Sequence, residues 1–432
     1  MEISMTQSRR DFLNQSSIIA TSAVAAGMTI PANHSSANDT VRLGIMGVRS
    51  RGAQLAKEFS RCKNCQVVVV CDVDERVVPP VQDSVEKMTG KRPRAESDFR
   101  KMLEGDEIDA LVVAAPDHWH AIATIYACQA GKDVYCEKPA SHNLTEGRLM
   151  VKAARKYDRV VQLGIQRRSS IAMQKAMKGL SDGLIGDVHM ARAWIVSRRP
   201  NIGRAPNAPA PKGVDYDLWL GPAPKQEFNP NHFHYEWHWF WDYGTGECGN
   251  NGIHALDMAR WGLGVEFPKR ACAGGAKHFF DDAQQTPDTQ IATFEFDDAT
   301  VTWEHRTWNP QGFDGKAFGV IFYGVDGVLT TDGAGWKAVD FDGEVIEQQD
   351  ADPGNHYQNF IDCIQSRERP NADIEIGHKS TSLCHIANIA YRTRLNLEFD
   401  GEEQRFTGLG ADQANKLLWR TYREPFVLTE DV

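Results

Sequence analysis

The chain has 432 residues, 41% of them hydrophobic and 25% charged, a globular composition too long for one ordinary core, which predicts two domains. A net charge of −10 argues against nucleic acid or an anionic membrane surface as the main partner. The nine cysteines are scattered, and the single C-x-x-C of Cys62 and Cys65 has no partner pair at zinc-ligand spacing, so these read as ordinary thiols.

Near the N-terminus, Arg9 and Arg10 precede Phe12, Leu13 and a mildly apolar stretch of small residues. This pattern predicts a twin-arginine export leader and linker over residues 1–39, lacking only the usual lysine after Leu13. The expected destination is the periplasm or another exported location. That route carries folded proteins, so a cofactor can travel already bound. After the leader, no apolar run is long enough to span a bilayer.

From Thr40 apolar strands alternate with amphipathic helices: "VRLGIMG", "CQVVVVCDVD", "IDALVVAAP", "DVYCEKP" and "VVQLGIQ" are strands, with helical patterns between them. This cadence means right-handed crossovers, so residues 40–162 are expected to form a doubly wound parallel sheet of Rossmann type. Ligands of such sheets bind at the carboxyl ends of the strands. Residues 163–432 change grammar. "GDVHMARAWIV", "TQIATFEF", "ATVTWEHRTW", "KAFGVIFYG", "GVLTTDG" and "WKAVDFDG" predict an open, mostly antiparallel sheet in a second α/β domain. The segments "NHYQNFIDCIQS" and "HKSTSLCHIANIAYRTR" are expected to cover one face of it. The Pro-, Asn- and aromatic-rich stretch 200–240 reads as a long ordered loop, and such loops are usually functional.

The first strand enters Gly47-Val48-Arg49-Ser50-Arg51-Gly52, a dinucleotide turn with its first and third glycines present and Arg49 at the second. Asp72 closes the next strand, where a carboxylate accepts both ribose hydroxyls and favours NAD; Arg76 leaves NADP open. Arg49 and Arg51 could touch the pyrophosphate. "APDHWHA" places Pro116, Asp117, His118 and His120 after the third strand, and "CEKPA" places Glu137 and Lys138 after the fourth. A desolvated lysine beside a cationic ring has its pKa pushed down toward acid/base range.

Downstream, "WHWFWDYGTGECGNNGIH" sets aromatics before bare backbone and a histidine. Asn250 or Asn251 is expected to cap a helix in which His254, Asp257, Met258 and Trp261 share a face. A first-turn histidine feels the positive helix end and stays neutral, as a general base requires. The aromatics at 237 to 243, Trp237 and Trp239 among them, would form a sugar-stacking wall, or else a local core with His254 a satisfied core histidine. Just upstream, His232, His234, Glu236 and His238 would share one face of an extended strand, a pattern open to metal ligation, but no second ligand cluster accompanies it and no metal is assigned.

The glycine turn, the strand-end acid, "PDHWH", "EKP" and the downstream G-x-H together resemble the Gfo/Idh/MocA oxidoreductases, over essentially all of the chain after residue 40. The leader resembles the exported branch. The resemblance implies a Rossmann domain, a C-terminal α/β domain, bound NAD(H) or NADP(H), a sugar or polyol substrate and a homo-oligomer, dimer or tetramer. It implies Lys138 on the reacting hydroxyl, Glu137 near the cofactor, and His254 as acid/base. Many members carry aspartate four residues before that histidine, where this chain has Asn250.

The expected cofactor-side residues are therefore Gly47, Val48, Arg49, Gly52, Asp72, Pro116, His120, Glu137, Lys138 and Gln166. Those expected at the substrate are Arg168, Trp237, Trp239, Asp242, Asn250, His254 and Asp257. The function expected is an exported NAD-dependent oxidoreductase acting on a sugar, glycoside or polyol hydroxyl. Two alternatives stand beside it: a glycosidase or epimerase using transient oxidation, and a non-catalytic sugar-binding protein.

Overall fold

The computed structural model describes residues 40–430 and 432, so the export leader expected over 1–39 lies outside the described residues. Strands β1 (Val41–Met46), β2 (Cys65–Cys71), β3 (Arg94–Glu96), β4 (Ala110–Val113), β5 (Asp133–Cys136) and β6 (Val161–Leu163) pair in parallel, in the order β3-β2-β1-β4-β5-β6. Apart from the polar, exposed edge strand β3, these strands are short, largely aliphatic and mostly buried, as a helix-sandwiched parallel sheet demands. Successive residues serve opposite cores. Ala110 and Val112 pack with Leu55, Phe59 and Val81 of the helices on one side. Leu111 and Val113 pack with Ile122, Ile125 and Leu149 of those on the other. The strand order reverses between β1 and β4, which opens a crevice at their carboxyl ends.

The second sheet has ten strands: β7 (Val188–Val196), β8 (Arg270–Ala276), β9 (Thr289–Glu295), β10 (Thr300–Arg306), β11 (Phe318–Gly324), β12 (Val328–Thr331), β13 (Trp336–Val339), β14 (Val345–Gln349), β15 (Leu397–Asp400) and β16 (Arg405–Thr407). Their order is β14-β13-β12-β11-β7-β10-β9-β8-β15-β16, antiparallel throughout except for the β7–β10 pair. Helices Ile253–Leu263 and Ile374–Thr393 lie on one face, burying Leu256, Met258, Leu383 and Ile386 against Trp303, Val301 and Phe294. Side chains alternate along β9, so Ala292 and Phe294 are buried while Ile291 faces outward and is exposed.

One expected cover of this sheet packs elsewhere. Helix His356–Ser366 sets Phe360, Ile361 and Cys363 against Val41, Phe59 and Tyr135 of the parallel sheet's layer. The apolar stripe found a better-matched partner there, with Phe59 and Phe360 meeting edge-on at 6.1 Å. The stretch 200–240 is mostly irregular, with one short helix, Tyr216–Leu220, and a tight helical turn, Glu236–Trp239. It folds over its own aromatic core of Trp219, Phe228, Phe233, Trp239, Phe240 and Tyr243. Among the described residues no helix is long and apolar enough to cross a membrane.

Candidate active site

A cleft of about 540 Å³ opens at the carboxyl ends of β1, β4 and β5, walled opposite by residues of the 200–240 stretch. Its floor is the first glycine turn. Gly47 has φ of +82°, and a Cβ there would sit 2.8 Å from the Ala114 carbonyl oxygen. A Cβ on Gly52 would come within 1.8 Å of the Gly47 carbonyl oxygen, so the helix that follows packs closer than any side chain allows. The Val48 N–H donates to Asp72 Oδ2 at 2.8 Å, and the Asp74 N–H to Oδ1 at 3.0 Å. Burial still pushes the Asp72 carboxyl up to about 6. Arg76 is committed to Asp74 at 2.6 Å, and His234 Nε2 meets the same carboxylate at 2.7 Å.

The loops after β4 and β5 form the back wall. Pro116 starts the helix Asp117–Gln129, and His120 bridges the two loops, with Nδ1 at 2.6 Å from the Pro139 oxygen and Nε2 at 2.8 Å from that of Ala115. Both nitrogens of His120 face main-chain oxygens, and burial lowers its pKa, so the neutral ring donates to one of them only. Glu137 accepts from Arg51 Nε at 2.8 Å, so Arg51 is tied to the β5 loop rather than free for a pyrophosphate. Gln166 reaches the cleft and donates from Nε2 to the Tyr135 hydroxyl at 3.4 Å.

Lys138 lies at the centre. Its Nζ donates to the main-chain oxygen of Asn250 and, at 3.1 Å, to Oδ1 of the same residue. Burial lowers the lysine pKa, against the pull of Glu137, Asp117 and Glu247. Asn250 belongs to a wide π-type turn, Cys248–Gly252, that runs straight into helix Ile253–Leu263. Neither asparagine caps that helix: Asn250 serves Lys138, and Asn251 Nδ2 donates to Glu247 at 2.8 Å. His254 follows in the first helical turn and lines the cleft, with a buried Nδ1 that has no partner among the described residues. Its pKa is pushed well down by burial first, then by the charges of Arg167, Lys138 and Arg51.

Several residues expected at a substrate are not brought to the cleft. Asp257 shares the helix face of His254 only in part, because the helix turns it into the core. There Arg168 Nε and Nη2 grip it at 2.9 and 2.8 Å, and the Ser380 hydroxyl donates at 2.6 Å. Arg168 is also stacked 4.3 Å over Trp261. Trp239 is a core residue, 2% exposed, donating to Glu236 at 2.8 Å. Asp242 accepts from Gln226 at 2.7 Å and faces a separate cavity of about 270 Å³. Trp237 and Asn250 do line the cleft, as do Arg49 and Glu137.

The histidine-rich segment is not extended, so its four polar residues do not share a face. His234 sits at φ of 64°, and Glu236–Trp239 coils into a helical turn. His232 packs on Phe240 at 4.2 Å, while Glu236 is spent on Trp239.

The cleft also holds groups outside the expected set. Asp117 is buried, accepts from the Thr245 hydroxyl at 2.8 Å and is pushed up to about 7 by burial. Glu247, 1% exposed, pairs with Arg199 at 3.1 Å behind the far wall. Tyr357 arrives on the relocated helix His356–Ser366 and accepts from Arg51 at 3.3 Å. Asp117 stood inside "APDHWHA", whereas nothing near Tyr357 in sequence connects it to the glycine turn.

Residues 41–165 match the NAD-binding Rossmann domain of the Gfo/Idh/MocA oxidoreductase family, and residues 199–300 and 333–428 match its C-terminal alpha/beta domain. The chain belongs to the Gfo/Idh/MocA oxidoreductases. It is 28% identical to myo-inositol 2-dehydrogenase of Thermotoga maritima over 178 residues, 41% of this chain and 48% of that one. It is 32% identical to a glycosyl hydrolase family 109 protein of Saccharopolyspora erythraea over 157 residues, 35% of this chain and 34% of that one. The matched stretches thus span about half or less of these two relatives. The structure of a dehydrogenase from Bordetella pertussis in complex with NADH and UDP-GlcNAcA superposes with a TM-score of 0.63 at 19% identity, covering 84% of this chain and 99% of that chain.

As a Gfo/Idh/MocA protein the chain carries an NAD-binding domain, and its own residues fit that cofactor. The glycine cradle at 47 and 52 leaves backbone bare where a Cβ would clash, Asp72 offers carboxylate oxygens for a ribose diol, and Arg49 supplies positive charge in the same wall. Past this end of the cleft stand Lys138 and His254, a desolvated amine and an imidazole kept neutral.

Proposed function

We propose that the protein oxidises a hydroxyl-bearing carbon of a sugar, glycoside or polyol, with NAD held in the cleft, and that it does so outside the cytoplasm. The observation that carries the reading is the juxtaposition of Lys138 Nζ, fixed on Asn250, with the neutral imidazole of His254 in the same cleft as the glycine turn. A bound nicotinamide supplies the hydride acceptor. Lys138 Nζ removes the hydroxyl proton, and burial makes its neutral form accessible. The His254 imidazole is a second acceptor or relay for that proton. Trp237 offers an apolar face for the C–H side of a ring. Asp72, with Arg76 already paired to Asp74, favours NAD over NADP.

An exported protein meets little free nucleotide, so in this reading the cofactor stays bound and is recharged in place. A homo-oligomer through the uncovered face of the second sheet fits the outward-facing Ile291. One observation favours a second reading, a glycosidase or epimerase with no net redox change: Asn250, not a carboxylate, faces the lysine, so the imidazole lacks a charged partner there. The partial likeness to a glycosyl hydrolase family 109 protein supports the same alternative.

The test is to purify the exported protein without added cofactor and challenge it with glycosides while following the near-ultraviolet band of reduced nicotinamide and the products. A growing band with a keto sugar supports the dehydrogenase. Cleaved sugar with the cofactor returned to its oxidised form supports the second reading. No nucleotide released on denaturation, no turnover with added NAD and tight sugar binding would leave a sugar-binding protein.

A further inference from the structure

His238 stands in the cleft wall and has no part in the chemistry above, yet its geometry is highly specified. It is 2% exposed, inside the helical turn Glu236–Trp239. Its Nδ1 lies 2.6 Å from the main-chain oxygen of Tyr235. A carbonyl oxygen only accepts, so Nδ1 carries the proton and, in a neutral ring, Nε2 is a bare lone pair. That Nε2 is buried and has no partner among the described residues. The ring cannot swing away to find one. Trp239 lies 4.2 Å from it and Tyr235 meets it edge-on at 5.2 Å. Behind it the chain folds so tightly that a Cβ on Gly244 would sit 2.5 Å from the His238 Cα.

Burial keeps the ring neutral and brings its pKa down to about 4, against the pull of the Tyr235 carbonyl and of Glu247, with Arg199 and Lys138 also opposing protonation. A buried acceptor left unsatisfied is costly, and most such atoms in folded proteins have partners. In the free protein the atom is closed off from water, and a ligand seated in the cleft can supply the donor it lacks.

We infer that His238 Nε2 is a specificity-determining acceptor for a second hydroxyl of the substrate, one that does not react, so the protein selects polyols over compounds with a lone alcohol. The inference rests on the carbohydrate reading of the cleft but not on hydride transfer. His238 holds the substrate by that hydroxyl against Trp237 while Lys138 serves the reacting one. A site built around a buried acceptor rejects an analogue lacking the donor, here by about tenfold to a hundredfold, because the acceptor is then left unpaired.

The test labels the histidine rings with nitrogen-15 and titrates the full protein with methyl glucoside, methyl galactoside, myo-inositol and the monodeoxy forms of whichever binds. The free protein should show His238 as the neutral Nδ1–H tautomer at pH 7. Its Nε2 resonance should move on binding the parent compound and fail to move with one monodeoxy form, which should bind at least tenfold more weakly. In His238→Ala that tenfold difference between parent and deoxy compound should vanish. His238→Asn, which keeps an acceptor, should restore part of it. An imidazolium or Nε2–H tautomer, an Nε2 resonance unmoved by every probe, or an unchanged deoxy penalty in His238→Ala would each overturn the inference. Nε2 binding shifts without turnover would instead sink the oxidoreductase chemistry and leave the inference standing.

Discussion

Asn250→Asp tests whether the ionisation of Lys138 sets the rate. The asparagine Oδ1 lies 3.1 Å from Nζ, and its isosteric replacement puts a negative charge at that distance. Two unit charges so placed attract by about 5 kcal/mol at an effective dielectric of ~20. Part of that is spent on burying the new carboxylate, and opposite charges at this range typically shift a pKa by about one to three units. The sign is fixed: the carboxylate favours the ammonium, so the Lys138 pKa, lowered by burial in the native chain, rises. The neutral amine then appears only at higher pH. The acidic limb of kcat/KM, followed as reduced nicotinamide formed from an active glycoside, should move up by about one to three units. Below the new limb the variant should lose about tenfold in rate per pH unit, and at high pH it should approach the native rate. A limb that stays in place while the overall rate falls would refute the assignment, because another group would then control the protonation.

Other consequences follow from the same geometry. Arg168→Met removes the partner of the buried Asp257 and should cost about 3–5 kcal/mol of stability, visible as a lower Tm, while KM stays unchanged because neither residue lines the cleft. A raised KM at constant Tm would return both residues to the substrate. NAD affinity should weaken as pH falls through about 6, where the Asp72 carboxylate becomes protonated, and Asp72→Asn should flatten that dependence in titration calorimetry. The same raised pKa makes the cofactor-free protein lose stability as pH rises through about 6, the opposite trend to the affinity. Gly52→Ala places a Cβ 1.8 Å from the Gly47 oxygen, so the helix must retreat, with a stability loss of about 1–3 kcal/mol and weaker nucleotide binding. Unaltered unfolding and binding in this variant would show that the turn is looser than described.

What the sequence disclosed is what neighbouring residues determine. Gly47, Gly52 and Asp72 could be placed because a tight turn between strand and helix leaves few residue choices, and Lys138 because a strand's carboxyl end faces the crevice. Helical spacing put His254 and Asp257 on one face, but spacing carries no information about what a face meets, and Asp257 turns into the core while His254 lines the cleft. The Arg168 guanidinium and the Ser380 hydroxyl came from far along the chain to claim Asp257. Aromatic density around Trp239 marked a local core as strongly as it marked a binding wall, and only Trp237 of the pair reached the cleft. The alternation of His232, His234 and His238 implied a strand, yet His234 takes a left-handed turn to meet Asp74. Strands such as β14, with exposed, mostly polar residues at a sheet edge, lacked the apolar alternation that reveals a half-buried one. Tyr357 and the helix that carries it could be located only by tertiary packing.

The central claim is that this cleft passes a hydride from a sugar carbon to a cofactor held in the folded protein, with Lys138 taking the proton. The most direct measurement supplies the protein, purified with no nucleotide added, with an active glycoside deuterated at its ring carbons. The nucleotide released on denaturation is then weighed by mass spectrometry. The account predicts deuterium on the nicotinamide of the native protein, and bound but unlabelled nucleotide in Lys138→Ala. Nucleotide that stays unlabelled in the native protein while the sugar is transformed would contradict it.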